Sequence, residues 1–240
     1  MNTLRAVKSI LKTNLKRFGL QINRVEPDLM DFVRDRSVDV VLDVGANVGQ
    51  FGGLLRVKGY QGKIVSFEPI HAVYQELAVK AAEDGNWEAN NFALGAKSEN
   101  TVINVSHSSV FSSILPSTDA AARFDDQAAV SHTETIEVRK LDDVGLATSD
   151  AILLKIDTQG FEREVLEGGR HLLPRVKGVL MELPIVHLYE RTWQFHEAVE
   201  FMSDAGFVPA QIHPVNYHSA DQVSLVEVDC LFRPRDDRFD

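Results

Sequence analysis

At 240 residues, with 44 % apolar side chains, the chain has enough material for one large domain carrying an N-terminal appendage. No apolar run reaches the ~18 residues of a membrane span. No compact apolar stretch with a cleavage site follows the basic N-terminus, and the single cysteine, Cys230, has no internal disulfide partner, so a cytoplasmic protein is expected. The net charge of −10 hides an asymmetry: residues 1–25 hold six basic side chains and no acid, which leaves the body at −16 and argues against a nucleic-acid partner.

Two regions are expected, an N-terminal arm over residues 1–36 and a catalytic-type domain over 37–240. In the arm, Leu4, Val7, Leu11, Leu15 and Phe18 recur at helical spacing, so Thr3–Phe18 reads as an amphipathic helix with a basic face, stopped by Gly19. Such a helix either packs on the domain or makes a peripheral contact with an anionic membrane or substrate. Beyond Pro27, Val38–Val44 reads as a strand, Val48–Val57 as a helix and Lys63–Phe67 as a second strand. A helix over His71–Ala82 and a third strand over Trp87–Leu94 complete a pattern typical of a parallel sheet with helices on its faces. Thr101–Val105 and Thr135–Val138 alternate like half-exposed strands, and the stretch 106–131 between them reads as a loop or lid insertion. Alternation then resumes with a strand at Ala151–Ile156, a helix from Phe161, a strand at Val179–Leu183 and a helix at Phe195–Ala205. The last two strands, Phe207–Ile212 and Val223–Phe232, have no helix between them and should pair antiparallel. The expected fold is therefore α/β: a mostly parallel seven-stranded sheet with a C-terminal antiparallel pair and helices on both faces.

The most informative segment is Asp43-Val44-Gly45-Ala46-Asn47-Val48-Gly49-Gln50-Phe51, where the first strand meets the first helix. Ligands of open α/β sheets bind beyond the carboxyl ends of the strands. Gly45 and Gly49 permit a sharp turn and close backbone approach, Asn47 tolerates left-handed geometry, and amides at the helix start would face a carboxylate or phosphate. The G-x-x-x-G spacing departs from the G-x-G-x-x-G of a dinucleotide site. Asp43 suits a ligand ammonium, and the amino-acid end of S-adenosylmethionine carries both an ammonium and a carboxylate. Glu68, before Pro69 at the end of the second strand, is placed to accept hydrogen bonds from both ribose hydroxyls of an adenosine cofactor. That feature alone fits NAD(P) and S-adenosylmethionine equally, so an NAD(P)-dependent oxidoreductase stands as the alternative, beside a non-catalytic binding module.

These residues occur within a longer ordered set: Leu42–Phe51 (LDVGANVGQF), Phe67–Pro69 (FEP), Asn91–Gly95 (NFALG), Leu141–Asp143 (LDD), Leu154–Gly169 (LKIDTQGFEREVLEGG), Met181–Leu183 (MEL) and Asp229–Phe232 (DCLF). In this the chain resembles the FkbM-type family of S-adenosylmethionine-dependent methyltransferases over about Ser37 to Arg233. The resemblance implies a Rossmann-like class I methyltransferase fold, with Asp43, Gly45, Ala46, Asn47 and Gly49 around the methionine moiety. It also implies Glu68 on the ribose and Ala93-Leu94 beside the adenine. O-methylation of a sugar, glycan or natural-product hydroxyl is the activity it suggests, with a small hydroxylated molecule as acceptor.

Methyl transfer to an alcohol needs near-attack geometry and a group that takes the hydroxyl proton. Asp157 and Glu182 follow apolar strands at the ligand-binding edge, and Lys155 shares a strand face with Asp157. The candidates are Asp157, Lys155, Glu182 and His187, with His107 and His213 also possible bases. Lys155 and Asp157 have an alternative reading as an ion pair that orders the strand end. No His or Cys spacing indicates zinc, and a divalent metal is left open. Oligomeric state is not legible.

Overall fold

The computed structural model describes residues 27–146, 151–218 and 221–236. The expected N-terminal helix lies outside them. Strands β1 (Val40–Val44), β2 (Lys63–Phe67), β3 (Trp87–Asn90), β7 (Ile152–Ile156), β8 (Val176–Pro184), β9 (Phe207–Tyr217) and β10 (Leu225–Pro234) form one sheet. Its order is β3-β2-β1-β7-β8-β10-β9. β3, β2, β1, β7 and β8 run parallel, and β10 joins β8 and β9 antiparallel, as the missing last helix requires. Every residue of β1 and β7 is buried, the pattern of central parallel strands covered on both faces.

Successive side chains alternate between two cores. Leu42, Val44, Leu154 and Ile156 pack with Val165 and Leu166 of helix α5 (Glu162–Glu167) and with Ala198 and Met202 of helix α6 (Phe195–Asp204). On the other face Val41, Ile64 and Leu153 meet Leu55 of helix α2 (Gln50–Val57) and Phe32 of helix α1 (Leu29–Asp35). Helix α3 (His71–Asp84) follows β2. The sequence pattern did not suggest α1, whose seven residues are too few to show periodicity. Its start was written in Asp28-x-x-Asp31: Asp28 Oδ1 accepts from the amides of Met30 and Asp31, and Asp31 accepts from Asp28 N–H.

The middle of the chain differs most from expectation. The predicted strand Trp87–Leu94 is two strands, because at Asn91-Phe92 the chain leaves the main sheet. Ala93–Gly95 (β4) enters a second, three-stranded sheet with β5 (Glu99–Ser106) and β6 (Val130–Lys140), in the order β4-β6-β5. Residues 106–131 are folded: 3-10 turns at Ser109–Phe111 and Asp126–Ala128 flank helix α4 (Asp119–Phe124). Leu115, Ala121 and Ala128 bury against Leu188, Tyr189 and Val226. Elements of three to six residues carry no readable period, which is why the stretch reads as a loop. No helix among the described residues is long and apolar enough to cross a membrane.

Candidate active site

The turn from β1 into α2 is built on left-handed backbone, with φ of +73° at Gly45, +47° at Asn47 and +80° at Gly49. A Cβ on Gly45 would lie 1.8 Å from the carbonyl oxygen of Asp157, so only glycine lets the β1 and β7 ends meet. Gly49 stands against Leu77 and the Trp87 ring instead of on a cavity wall. Most amides of the turn are spent internally. Gly45 and Ala46 donate to Phe67 O, Asn47 to Glu68 Oε2, Val48 to its neighbour's Oδ1 and Gly49 to Ala46 O. The donors left for an anionic ligand group are therefore the first-turn amides of Gln50, Phe51 and Gly52, which no helix carbonyl can accept.

Asp43 corrects the simplest reading of this loop. It is fully buried and stands behind the cavity wall, where its cation is supplied by the protein. Lys155 Nζ lies 3.1 Å from Asp43 Oδ1, 3.4 Å from Asp157 Oδ2 and donates to Gly45 O at 3.1 Å. Ser66 Oγ donates to Asp43 Oδ2 at 3.2 Å and accepts from Trp87 Nε1 at 2.9 Å. Burial works against the Lys155 ammonium, but Asp43 and Asp157 outweigh it and raise its pKa above the ordinary lysine value. Lys155 is thus suited to hold charge at the junction of β1 and β7 and not to accept a proton.

A cavity of about 740 Å³ opens over the carboxyl ends of β1, β2, β7 and β8, in the size range of small-molecule sites. Ala46, Asn47, Gln50, Phe51, Glu68 and Pro69 line one end, with Ala93 and Leu94 beside them. Glu68 is buried, accepting from Asn47 N at 3.0 Å and Ile70 N at 2.9 Å. Burial lifts its carboxyl to about 7 in spite of those amides. The insertion closes this end: Ser109, Val110, Phe111 and Ser112 are on the wall, and Ser109 Oγ accepts from Asn47 Nδ2 at 2.9 Å.

The other end is acidic. Asp157 and Glu182 line it as expected, and Glu227 and Asp229 of β10 join them. Asp229 pairs in register with Glu182 across the β8–β10 ladder. Gln159, at φ +54°, donates its side-chain amide to Asp157 Oδ1 at 2.8 Å and Glu182 Oε1 at 3.3 Å, while Tyr189 OH donates to Gln159 Oε1 at 2.9 Å. Burial and the neighbouring acids push Glu182 up to about 9, and raise Glu227 and Asp229 as well. His187 is not on the wall. The chain turns away after β8, and the His187 carbonyl accepts from Thr118 Oγ1 in the insertion. His213 of β9 lines the cavity in its place, and His107 does not. Sequence reasoning missed Gln159, Glu227 and Asp229 as site residues; the first and last belonged to quoted motifs, and only strand order shows Asp229 facing Glu182. Among the described residues no three His, Cys, Asp or Glu side chains form a group able to hold a metal ion.

A seven-stranded sheet of this order, with its reversed penultimate strand, glycine turn and β2-terminal carboxylate, is the Rossmann-like class I methyltransferase fold. The sequence matches the methyltransferase FkbM domain over residues 43–209, and the chain belongs to that family. Among solved structures it is similar to the methyltransferase FkbM from Methylobacillus flagellatus KT, with a TM-score of 0.52 and 15 % identity. That match covers 82 % of this chain and 43 % of the other, so this chain spans less than half of that protein. It is also similar to TehB from Haemophilus influenzae, with a TM-score of 0.49, 11 % identity and coverage of 92 % and 65 %. A third similar structure is the magnesium protoporphyrin IX methyltransferase from Synechocystis PCC 6803 with bound SAM, with a TM-score of 0.48, 11 % identity and coverage of 95 % and 97 %. No curated protein matches the sequence.

Proposed function

We propose that the chain is an S-adenosylmethionine-dependent O-methyltransferase acting on a hydroxyl of a small molecule such as a sugar, glycan or natural product. The observation that carries this reading is one cavity joining two chemically distinct ends, Glu68 beside the glycine turn and the carboxylates of β7, β8 and β10. The residues at the first end fit the cofactor. Each Glu68 oxygen accepts one amide, which leaves lone pairs for two ribose hydroxyls. Ala93, Leu94 and Ile70 offer an apolar surface for adenine, and the first-turn amides of α2 suit a carboxylate. When bound, the cofactor supplies an electrophilic methyl carbon.

The chain's own residues then hold the acceptor and take its proton. Asp157, beside the Lys155 ammonium, is the proton acceptor in this reading, since burial keeps Glu182 protonated at neutral pH. Lys155 positions Asp157 and Gln159 holds its Oδ1. Asp157→Asn should lower kcat by ~10²–10⁴-fold with a much smaller effect on cofactor affinity, measured by steady-state kinetics alongside calorimetry. A similar loss in both would assign Asp157 to binding.

Calorimetric titration with S-adenosylhomocysteine tests the cofactor. Binding in the wild type that is lost in Glu68→Ala supports the reading. Equal affinity in the two proteins would remove the ribose assignment, and no binding with or without magnesium would overturn the cofactor itself.

A further inference from the structure

The acidic end of the cavity holds more carboxyl groups than methyl transfer requires. Asp157, Glu182, Glu227 and Asp229 converge there, and the sole lysine or arginine on the described wall is Lys155. That ammonium is already matched by Asp43 and Asp157, and keeps only 11 % of its side chain exposed. Strands lie ~4.8 Å apart, so the three strand steps from β2 to β8 place Glu182 ~14 Å from Glu68. The acids therefore belong to a compartment apart from the ribose carboxylate.

A second feature points the same way. Glu162 is 2 % exposed, and its Oε1 accepts from Thr158 N, Thr158 Oγ and Gly160 N. Its Oε2 is buried with no hydrogen-bond partner. Glu162 lines a pocket of about 20 Å³ whose walls share Gln159, Glu182 and Glu227 with the main cavity. Glu162 thus adjoins the acidic end through Glu182 and Glu227, and among the five carboxyl groups side-chain amides reach three: Gln159 donates to Asp157 and Glu182, and Asn216 to Glu227. Buried charge of one sign is costly unless it is paired or protonated.

We propose that the acceptor is an amine-bearing hydroxylated molecule, an amino sugar or amino alcohol, whose ammonium group sits among Asp157, Glu182, Glu227 and Asp229. This deepens the methyltransferase reading and rests on it for the identity of the neighbouring end. Phosphorylated and uronate-type acceptors are disfavoured by the same carboxyl groups, since among the described residues no lysine or arginine beyond Lys155 stands on this wall to receive them. Gln211 and His213 on the same wall supply partners for hydroxyl groups, while the Asn216 amide is given to Glu227 Oε2 at 2.9 Å.

Binding of a cation should also release protons. Without ligand, Glu182 and its neighbours Glu162, Glu227 and Asp229 hold protons more tightly than free carboxyls, burial being the main cause. An ammonium favours the ionised forms and lowers those pKa values. The other titratable groups facing the site are Asp157, Lys155, His213 and Tyr189.

The test is calorimetry of the full chain with glucosamine, glucose and glucuronate, with and without S-adenosylhomocysteine, in two buffers of different ionisation enthalpy. Glucosamine is expected to bind at least ~10-fold more tightly than glucose, with proton release that glucose does not show, and glucuronate is expected not to bind. Glu182→Gln/Asp229→Asn should abolish that preference while S-adenosylhomocysteine affinity, which also reports that the variant is folded, is retained. Equal affinity for glucosamine and glucose, preference for glucuronate, or no sugar binding by a protein that binds S-adenosylhomocysteine would overturn the proposal. Failure of S-adenosylhomocysteine to bind while the glucosamine preference persists would count against the methyl-donor reading and leave the amine site standing.

Discussion

Beneath the glycine turn, Lys155 carries its charge between Asp43 and Asp157, and Asp43 has no exposure at all. Removing one member of such a pair strands the other in a low-dielectric interior. Lys155→Met should therefore cost ~3–5 kcal/mol of folding stability. Asp43→Leu added to it should recover much of that loss, because two apolar groups replace two charges. Urea denaturation of the two variants checks this, and a double variant no more stable than Lys155→Met would show that Asp43 is held by other partners. The loop residues show the division of labour at this scale. Gly45 and Gly49 serve backbone geometry and packing, Asp43 serves the interior, and Glu68 alone among the expected cofactor carboxylates reaches the cavity.

Helix α2 is held close to Trp87 of β3 by one missing side chain. A Cβ on Gly52 would lie 2.3 Å from Trp87 Cζ2, whereas one on Gly53 would meet nothing within 4 Å. Gly52→Ala should destabilise by ~1–3 kcal/mol, by forcing the helix off the Trp87 ring. Gly53→Ala, in open helical space, should stabilise by ~0.5–1 kcal/mol through backbone entropy and helix propensity. Thermal melts and Trp fluorescence distinguish the two, and equal effects would mean that α2 does not rest on Trp87 as described. Because α2 also presents Gln50 and Phe51 to the cavity, Gly52→Ala is expected to weaken S-adenosylhomocysteine binding and Gly53→Ala to leave it unchanged.

Across the whole molecule, the buried acids set the pH dependence of stability. Burial raises Glu68 and Glu162 to about 7 and Glu182 to about 9, against 4.5 when unfolded. Between these values the folded chain binds more protons than the unfolded chain, so stability falls as pH rises from about 5 to 9. Asp84 and Glu88, held low by hydrogen bonds from Arg56 and Lys63, act with the opposite sign but titrate below this window. The urea midpoint should thus decline from about pH 5 to pH 9, and Glu182→Gln should flatten the alkaline part of the decline. An unchanged slope in that variant would mean that Glu182 is solvated and ionised in the folded protein.

By itself the sequence determined the parallel core, the antiparallel closing hairpin and the ligand-binding turn, because each is a local property. Apolar runs mark the buried strands, the absence of a helix between Phe207–Ile212 and Val223–Phe232 forces their antiparallel pairing, and Gly45 and Gly49 mark a turn only small residues can make. Tertiary structure decided everything that depends on which strands become neighbours. It split the third strand at Asn91, folded residues 106–131 into a wall of the cavity and carried His187 away from it. It also gave Asp43 an internal cation and brought Glu227 and Asp229 beside Glu182. The physical reason is that a carboxylate's partner and degree of burial come from chain segments far away in sequence, and no local pattern records them.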